Sequence, residues 1–135
     1  MEFDVIMEPR GKGRPRFTRN GRTYTPTETK SAEKKIADAY WALRERSYYE
    51  RNVPIALHVE AYFPIPPSYD KRKTAAALAK ELFPTKKPDG DNILKLVADA
   101  LNGAAYHDDS QIVYMTIKKE YASRGFLRIR IEEYK

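Results

Sequence analysis

Four aspartates near the middle of the chain have the residue type and spacing of a divalent-metal site. Asp89 and Asp91 are separated by one residue, and Asp108 and Asp109 follow after one short helical stretch. In an extended segment Asp89 and Asp91 point to the same side, where two carboxylates share one hard cation. A loop that folds the second pair back towards the first adds a third ligand. Oxygen ligands in a chain without cysteine suit Mg²⁺ or Mn²⁺.

Lys95 extends this pattern from metal binding to phosphate chemistry. It follows Asp91 by four residues, one helical turn, and therefore reaches the same space. A divalent ion polarises a phosphate and lowers the pKa of a bound water. A neighbouring ammonium stabilises the charge that develops on that phosphate. The spacing therefore indicates cleavage of a phosphodiester.

The same residues also have a purely structural interpretation. An aspartate at a helix N-terminus is a preferred cap that stabilises by about 1 kcal/mol without any metal. The Asp108–Ser110 segment fits an ordinary polar turn before a strand. Asp99 fits a surface ion pair with Lys95, His58 fits a structural position within a strand, and His107 fits a loop position. Both interpretations remain open at this point.

A basic loop near the N-terminus is the second candidate site. Asn20-Gly21 predicts a two-residue hairpin turn, and Phe17 and Tyr24 flank it as a pair across the two strands. Basic residues interleaved with aromatic rings suit phosphate contacts and base stacking, although such a loop also fits a solvated tip. The candidate DNA-binding residues, including two that precede the first aspartate, are Lys12, Arg14, Arg16, Arg19, Arg22, Lys86 and Lys87.

Composition narrows the class of protein. A chain of 135 residues predicts one domain with one core. The formal net charge of +6 favours an anionic partner, of which nucleic acid is the commonest. Without cysteine there is no disulfide and no thiolate metal site. The chain opens without a signal segment, and no apolar run approaches the ~20 residues that span a bilayer, so we expect no membrane partner.

Hydrophobic periodicity predicts an α+β domain in the order β-α-β-α-α-β-β, with about four strands in a mixed sheet covered by helices. The first helix is predicted to have Thr25 as N-cap, Pro26 as first residue and Glu28 in a capping box, and to end before Val53-Pro54. The other predicted elements are strands over 1–8 and 55–63, helices over 68–82 and 91–101 with Asn102-Gly103 as a left-handed end, and a closing antiparallel hairpin of 111–121 and 126–133.

Three segments together resemble the RusA family of Holliday-junction resolvases. They are Lys86-Lys87-Pro88-Asp89-Gly90-Asp91-Asn92-Ile93-Leu94-Lys95, then Asp99-Ala100-Leu101-Asn102-Gly103, then Tyr106-His107-Asp108-Asp109-Ser110-Gln111. Lys12-Gly13-Arg14-Pro15-Arg16 resembles the opening motif of that family, and the resemblance runs from about residue 6 to 120. It departs from the family where aromatic residues precede the first aspartate, because Lys86, Lys87 and Pro88 stand there and the nearest aromatic residue is Phe83.

The resemblance implies a homodimeric endonuclease that depends on Mg²⁺, with Mn²⁺ as a substitute, and cuts four-way DNA junctions by paired symmetric nicks. It places the catalytic aspartates at Asp89, Asp91 and Asp109 and the essential lysine at Lys95, with Asp108 as a neighbouring candidate ligand. The family is typical of phage and prophage DNA, which implies a bacterial cytoplasm. The alternatives are a nuclease acting on forks or flaps and a non-catalytic basic module that binds nucleic acid.

Overall fold

A computed structural model describes residues 1–13, 16–24 and 26–135, with only the backbone described at residues 16, 17 and 24. It confirms an α+β domain with a four-stranded mixed sheet and three helices. The sheet strands are β1 (Glu2–Ile6), β4 (Ile55–Pro64), β5 (Ile112–Ala122) and β6 (Phe126–Glu133). A separate ribbon contains β2 (Arg16–Phe17) and β3 (Thr23–Tyr24). The helices are α1 (Thr27–Trp41), α2 (Lys71–Leu78) and α3 (Gly90–Ala100).

The strand order in the sheet is β1-β6-β4-β5, so the prediction of a closing hairpin was wrong. β4 lies between β5 and β6, pairing in parallel with the first and antiparallel with the second. The turn at 123–125 crosses the end of β4 and does not join neighbouring strands. A parallel partner for β4 requires a crossover connection, and the segment that carries α2 and α3 provides it. This crossover places α3, with its acidic ends, between β4 and β5 in the chain.

The core lies between the sheet and helices α1 and α3. Leu127, Ile129 and Ile131 of β6 are fully buried, as their alternation predicted. They join buried residues of the helices in one cluster, including Ile36 and Leu96. α1 packs on both α3 and β1, and α3 packs on β5. The helix that carries the candidate site is therefore held by burial of its apolar face, not by its own propensity.

The first two helices differ from their predicted bounds. Pro26 occupies the N-cap position of α1 without a side-chain cap, and Thr25 lies outside the described residues. α1 ends at Trp41, before Val53-Pro54 as predicted. The Arg46 guanidinium donates hydrogen bonds to the carbonyls of Trp41 and Leu43, which satisfies groups left open at a helix end. α2 covers Lys71–Leu78 and is shorter than the predicted 68–82. It is capped by Asp70, whose carboxylate accepts the Lys73 N–H at 2.8 Å.

The basic ribbon also differs in its turn. Thr18 N–H donates to the Arg22 carbonyl at 2.7 Å, which closes a three-residue loop instead of the predicted two-residue one. Gly21 has φ +78° within that loop, a conformation that glycine adopts without a Cβ clash. Phe17 is opposite Thr23 and not opposite Tyr24. In the part of the chain that the structure describes, no helix has the length and apolar content to cross a bilayer.

Candidate active site

The exposed side of α3 carries a row of charged side chains. Asp91, Lys95 and Asp99 are spaced four residues apart, so they lie along one side of the helix. The opposite side is buried and consists of Ile93, Leu94, Leu96, Val97 and Ala98. The helix predicted over 91–101 from hydrophobic periodicity is confirmed, and its burial determines which side of α3 is exposed. Gly103 ends this segment with φ +79°, as predicted.

Asp89 stands at the N-cap position of α3 but does not cap the helix. Its backbone is extended, and its carboxylate accepts no capping hydrogen bond. The side chain is exposed and lines an open cleft of about 960 Å³. The same cleft is lined by Arg10, Gly11, Lys87 and Asn92. The structural interpretation as a cap does not account for Asp89, whose carboxylate instead faces a cleft that also contains basic residues.

The loop before Arg14 is fastened to two helices. Lys12 N–H donates to the Asn92 carbonyl of α3 at 3.1 Å, and Gly13 N–H donates to the Thr29 hydroxyl of α1 at 2.9 Å. A Cβ at position 13 would lie 2.5 Å from the Thr29 Oγ1. This approach is closer than any side chain tolerates, so a glycine is required there. The two contacts hold Lys12 over the exposed side of α3.

The Lys12 ammonium forms two ion pairs. Its Nζ lies 2.7 Å from Asp99 Oδ2 and 2.9 Å from Glu33 Oε1. Burial alone would lower the pKa of Lys12, but the hydrogen bonds to Asp99 and Glu33 outweigh it and raise that pKa. Asp99 therefore pairs with Lys12, and its predicted pairing with Lys95 was wrong. The charge predicted to contact DNA is already neutralised by two carboxylates.

Asp108 organises a short turn. The turn is a 3₁₀ helix, Asp109–Gln111, and the Asp108 carboxylate accepts the N–H and the hydroxyl of Ser110. The hydrogen bonds from Ser110, the hydroxyl foremost, lower the pKa of Asp108. The polar-turn interpretation is thus confirmed for Asp108, and its role as a ligand stays a prediction.

Asp109 lies beside Asp99 at the C-terminal end of α3. Burial, followed by the charges of Asp108 and Asp99 and a hydrogen bond shared with Asp99, raises the pKa of Asp109. Two adjacent carboxylates hold one proton or one cation more readily than two negative charges. Tyr106, which is fully buried, donates a hydrogen bond to the Ala98 carbonyl and fixes the loop that delivers Asp109.

The predicted carboxylates are distributed along α3. Within the described ranges, no three side chains of His, Cys, Asp or Glu gather closely enough to hold a metal ion. Asp89 and Asp99 are ten residues apart, which is about 15 Å along a helix axis. Mg²⁺ commonly binds one or two carboxylates and completes its shell with substrate phosphates and water. The oxygen donors at either end of α3 fit that mode, and the joint action of Asp89, Asp91 and Asp109 stays a prediction.

The remaining predicted DNA-binding residues differ in how far the structure describes them. Arg19, Arg22, Lys86 and Lys87 are exposed. Arg14 lies outside the described residues, as does the side chain of Arg16. The segment before Asp89 is anchored by Lys119, whose ammonium donates to the carbonyls of Lys86 at 2.7 Å and Pro88 at 2.9 Å.

The sequence is similar to known proteins and matches a family model. A family model described as endodeoxyribonuclease RusA matches residues 7–132. The chain is 36% identical over 136 residues to uncharacterized protein YqaN of Bacillus subtilis (strain 168), covering 98% of this chain and 96% of that protein. It is 32% identical over 91 residues to crossover junction endodeoxyribonuclease rusA of Lactococcus phage r1t, covering 67% of this chain and 63% of that protein.

Proposed function

The chain belongs to the RusA family of endodeoxyribonucleases, and from this premise we propose that it resolves four-way DNA junctions by Mg²⁺-dependent paired nicks. The observation that carries the proposal is the exposed side of α3, where Asp89, Asp91 and Lys95 lie within the first two turns of the helix. A basic protein keeps these carboxylates exposed beside the basic residues of the cleft, which suits a site where metal and phosphate bind together.

Each group in the proposed site has a separate task. Asp89 and Asp91 would hold Mg²⁺, with Mn²⁺ as substitute, when a DNA phosphate completes the ligand set, and Asp109 would join them when DNA binding moves its turn towards the start of α3. The bound ion supplies Lewis-acid activation of a water and of the scissile phosphate. Lys95, one turn from Asp91, stabilises the negative charge that grows on the phosphate oxygens. The flanking DNA backbone is held by basic side chains, namely the exposed Arg19, Arg22, Lys86 and Lys87, together with Arg14 and Arg16 of the same basic segment of sequence.

The direct test is Asp91→Asn on a labelled four-way junction. We expect this variant to lose cleavage in Mg²⁺ and Mn²⁺ by at least about 10³-fold while binding the junction in EDTA as tightly as the parent. Asp38→Asn, an exposed acid on α1 that pairs with Lys34, is the matched control and keeps the parent rate. Cleavage by Asp91→Asn at the parent rate contradicts the assignment.

Substrate choice is tested on the same preparation. A resolvase cuts the four-way junction in preference to a fork, a flap and a linear duplex of equal length, and its two nicks are symmetric. Faster cutting of forks or flaps identifies a nuclease for other branches. Salt-sensitive binding without cleavage in either metal identifies a binding module. We place the activity in the bacterial cytoplasm, because the relatives reported above come from a bacterium and a phage.

We further propose that two copies assemble through the outer edge of β5, which would present two sites to one junction. β5 pairs with β4 on one edge, and no described strand pairs with the other. Near this edge Val113, Tyr114 and Met115 are 58%, 49% and 46% exposed. A long apolar edge is a template for pairing with another chain. If the β5 edges of two copies pair antiparallel and are centred on these residues, the two Lys118 side chains lie on opposite sides of the two-fold axis and do not face each other.

A further inference from the structure

The turn before β4 and the acidic turn before β5 lie side by side. The two strands are parallel, and Ile55 is paired with Ile112 where both begin. In a parallel pair the starts of both strands lie at the same edge of the sheet. Residues 50–53 are therefore brought against residues 108–111, although nearly sixty positions separate them in the chain.

The Gln111 side chain joins these two turns. Its Oε1 accepts the Asp108 N–H at 2.9 Å, and its Nε2 donates to the carbonyls of Glu50 at 2.7 Å and Val53 at 3.0 Å. Gln111 is one of the few buried polar residues, with 9% of its surface exposed. Both amide hydrogens and the amide oxygen are thus used inside the protein. A single rigid amide sets the spacing between the turns.

Arg51 stands at the tip of the turn that Gln111 holds. Val53 N–H donates to the Glu50 carbonyl at 3.2 Å, which closes a β-turn with Arg51 and Asn52 as its central residues. Asn52 has φ +71°, a conformation that asparagine tolerates better than most residues. Arg51 is exposed, and its guanidinium forms no ion pair with any carboxylate in the described part of the chain. It is an available cation next to a turn that carries two acids.

We propose that Arg51 binds a DNA phosphate next to the one that is cut, and that Gln111 is the positioning residue that fixes Arg51 relative to Asp109. The inference deepens the proposed function and rests on it. An arginine positions DNA through phosphate contacts without reading sequence. Because the Gln111 amide links both turns, Arg51 and Asp109 keep a fixed spacing. A phosphate bound by Arg51 then places the neighbouring phosphodiester linkage at the turn that carries Asp109.

The binding arm of the test needs no cleavage. Fluorescence anisotropy in EDTA measures the affinity of the parent and of Arg51→Gln for a four-way junction at several salt concentrations. We expect Arg51→Gln to weaken binding about three- to tenfold and to reduce the salt slope by about 1. Arg124→Gln is the matched control, an exposed arginine beyond the other end of β5, and it keeps the parent slope. An Arg51→Gln variant with the affinity and slope of the parent overturns the proposal.

The coupling arm tests Gln111. Gln111→Met keeps the volume and removes all three hydrogen bonds, and we expect its single-turnover cleavage rate to fall about tenfold, as for other residues that orient a catalytic group. Arg51→Gln should then cost less in the Gln111→Met background than in the parent. Additive effects of the two changes overturn the positioning role, because a merely structural glutamine would lower stability without changing what Arg51 contributes.

Two further results keep the outcomes distinct. If Gln111→Met does not fold, Gln111→Glu replaces it in the cycle, since it keeps the acceptor for Asp108 N–H and loses the donors to Glu50 and Val53. If the parent does not cut in Mg²⁺ or Mn²⁺, the proposed function fails, while the binding arm still decides whether Arg51 contacts DNA.

Discussion

Lys12 Nζ lies 2.7 Å from Asp99 Oδ2, and both side chains are about three-quarters buried. This ion pair connects a loop near the N-terminus to the helix of the candidate site, across almost ninety positions of sequence. Since Asp99 also lies beside Asp109, the Lys12 ammonium is a cation that already balances part of the negative charge of these two carboxylates. Its role in the free protein is therefore to hold the carboxylates together.

Replacing Lys12 tests this role through stability. Lys12→Met leaves Asp99 and Glu33 without their shared cation, and we expect the free energy of unfolding to fall by about 1–2 kcal/mol. Lys34→Met is the control, because the Lys34–Asp38 pair of α1 is mostly exposed, and it should cost no more than about 0.5 kcal/mol. Urea unfolding measures both. The salt slope of junction binding should be unchanged in Lys12→Met, and a slope reduced by about 1 would mean that Lys12 contacts DNA instead.

The raised pKa of Asp109 predicts how its removal changes stability with pH. A carboxyl whose pKa is higher in the folded than in the unfolded state costs nothing below its unfolded value of 3.8, and it destabilises the fold as pH rises through the folded pKa. Asp109→Asn cannot ionise. Without divalent ions we expect its melting temperature to exceed that of the parent by about 2 °C at neutral pH, with no difference at about pH 3.

Asp108→Asn provides the opposite control for that measurement. The pKa of Asp108 is lowered by its hydrogen bonds to Ser110, so its charged form stabilises the fold above the unfolded pKa and that contribution is lost as pH falls through the folded pKa. Asp108→Asn should therefore melt below the parent at neutral pH and approach it in acid. Equal shifts of the same sign in the two variants would contradict the opposite environments of the two neighbouring aspartates.

The edge of β5 gives a prediction about assembly. If two copies pair there, Met115→Lys places two ammonium groups near the two-fold axis, where like charges destabilise a cross-strand pair. We expect the parent to elute as a dimer at micromolar concentration and Met115→Lys to elute as a monomer with the same circular dichroism spectrum. Leu78→Lys is the control, because Leu78 is similarly exposed on α2, at 48%, and it should leave the dimer intact. A parent that is monomeric in light scattering excludes this interface.

Sequence patterns predicted the local features of this protein well and its long-range pairings poorly. The apolar side of α3 and the left-handed Gly103 follow from helical periodicity and from glycine at a helix end, both of which depend on neighbouring residues only. The position of β5 depends on a crossover and on the partners available in the sheet. Two adjacent alternating strands joined by a short turn predict a hairpin, and nothing local indicates that β4 separates them.

The candidate site shows the same division. Asp89, Asp91 and Lys95 were identified from spacing, because they lie within two turns of chain. The contacts of Asp99 with Lys12 and Asp109 join three separate segments, so periodicity on α3 suggested the nearer Lys95 as partner. Gly11 and Gly13 on either side of Lys12 were the available signal, since closely spaced glycines mark a backbone that approaches its neighbours.

Asp99 is not one of the catalytic aspartates predicted from the sequence. Its replacement therefore tests the contacts that only the structure shows. Asp99→Asn removes the carboxylate that lies beside Asp109 and leaves Glu33 as the one carboxylate that pairs with Lys12 among the described residues. We expect the single-turnover rate on a four-way junction to fall about 10- to 100-fold, the usual effect of losing a group that orients a metal-binding carboxylate, with binding in EDTA unchanged. The Mg²⁺ concentration for half-maximal rate should rise as well.

The reason is electrostatic, and it distinguishes a positioning role from a structural one. An amide at position 99 still accepts from Lys12 and donates to Asp109, so the fold is retained, but one negative charge is lost beside the proposed metal site. Asp99→Glu restores the charge and should recover part of the rate, whereas a structural role would make the longer side chain no better than the amide. A cleavage rate for Asp99→Asn within about twofold of the parent, far from the loss expected for an orienting group, would show that the motif aspartates act without Asp99.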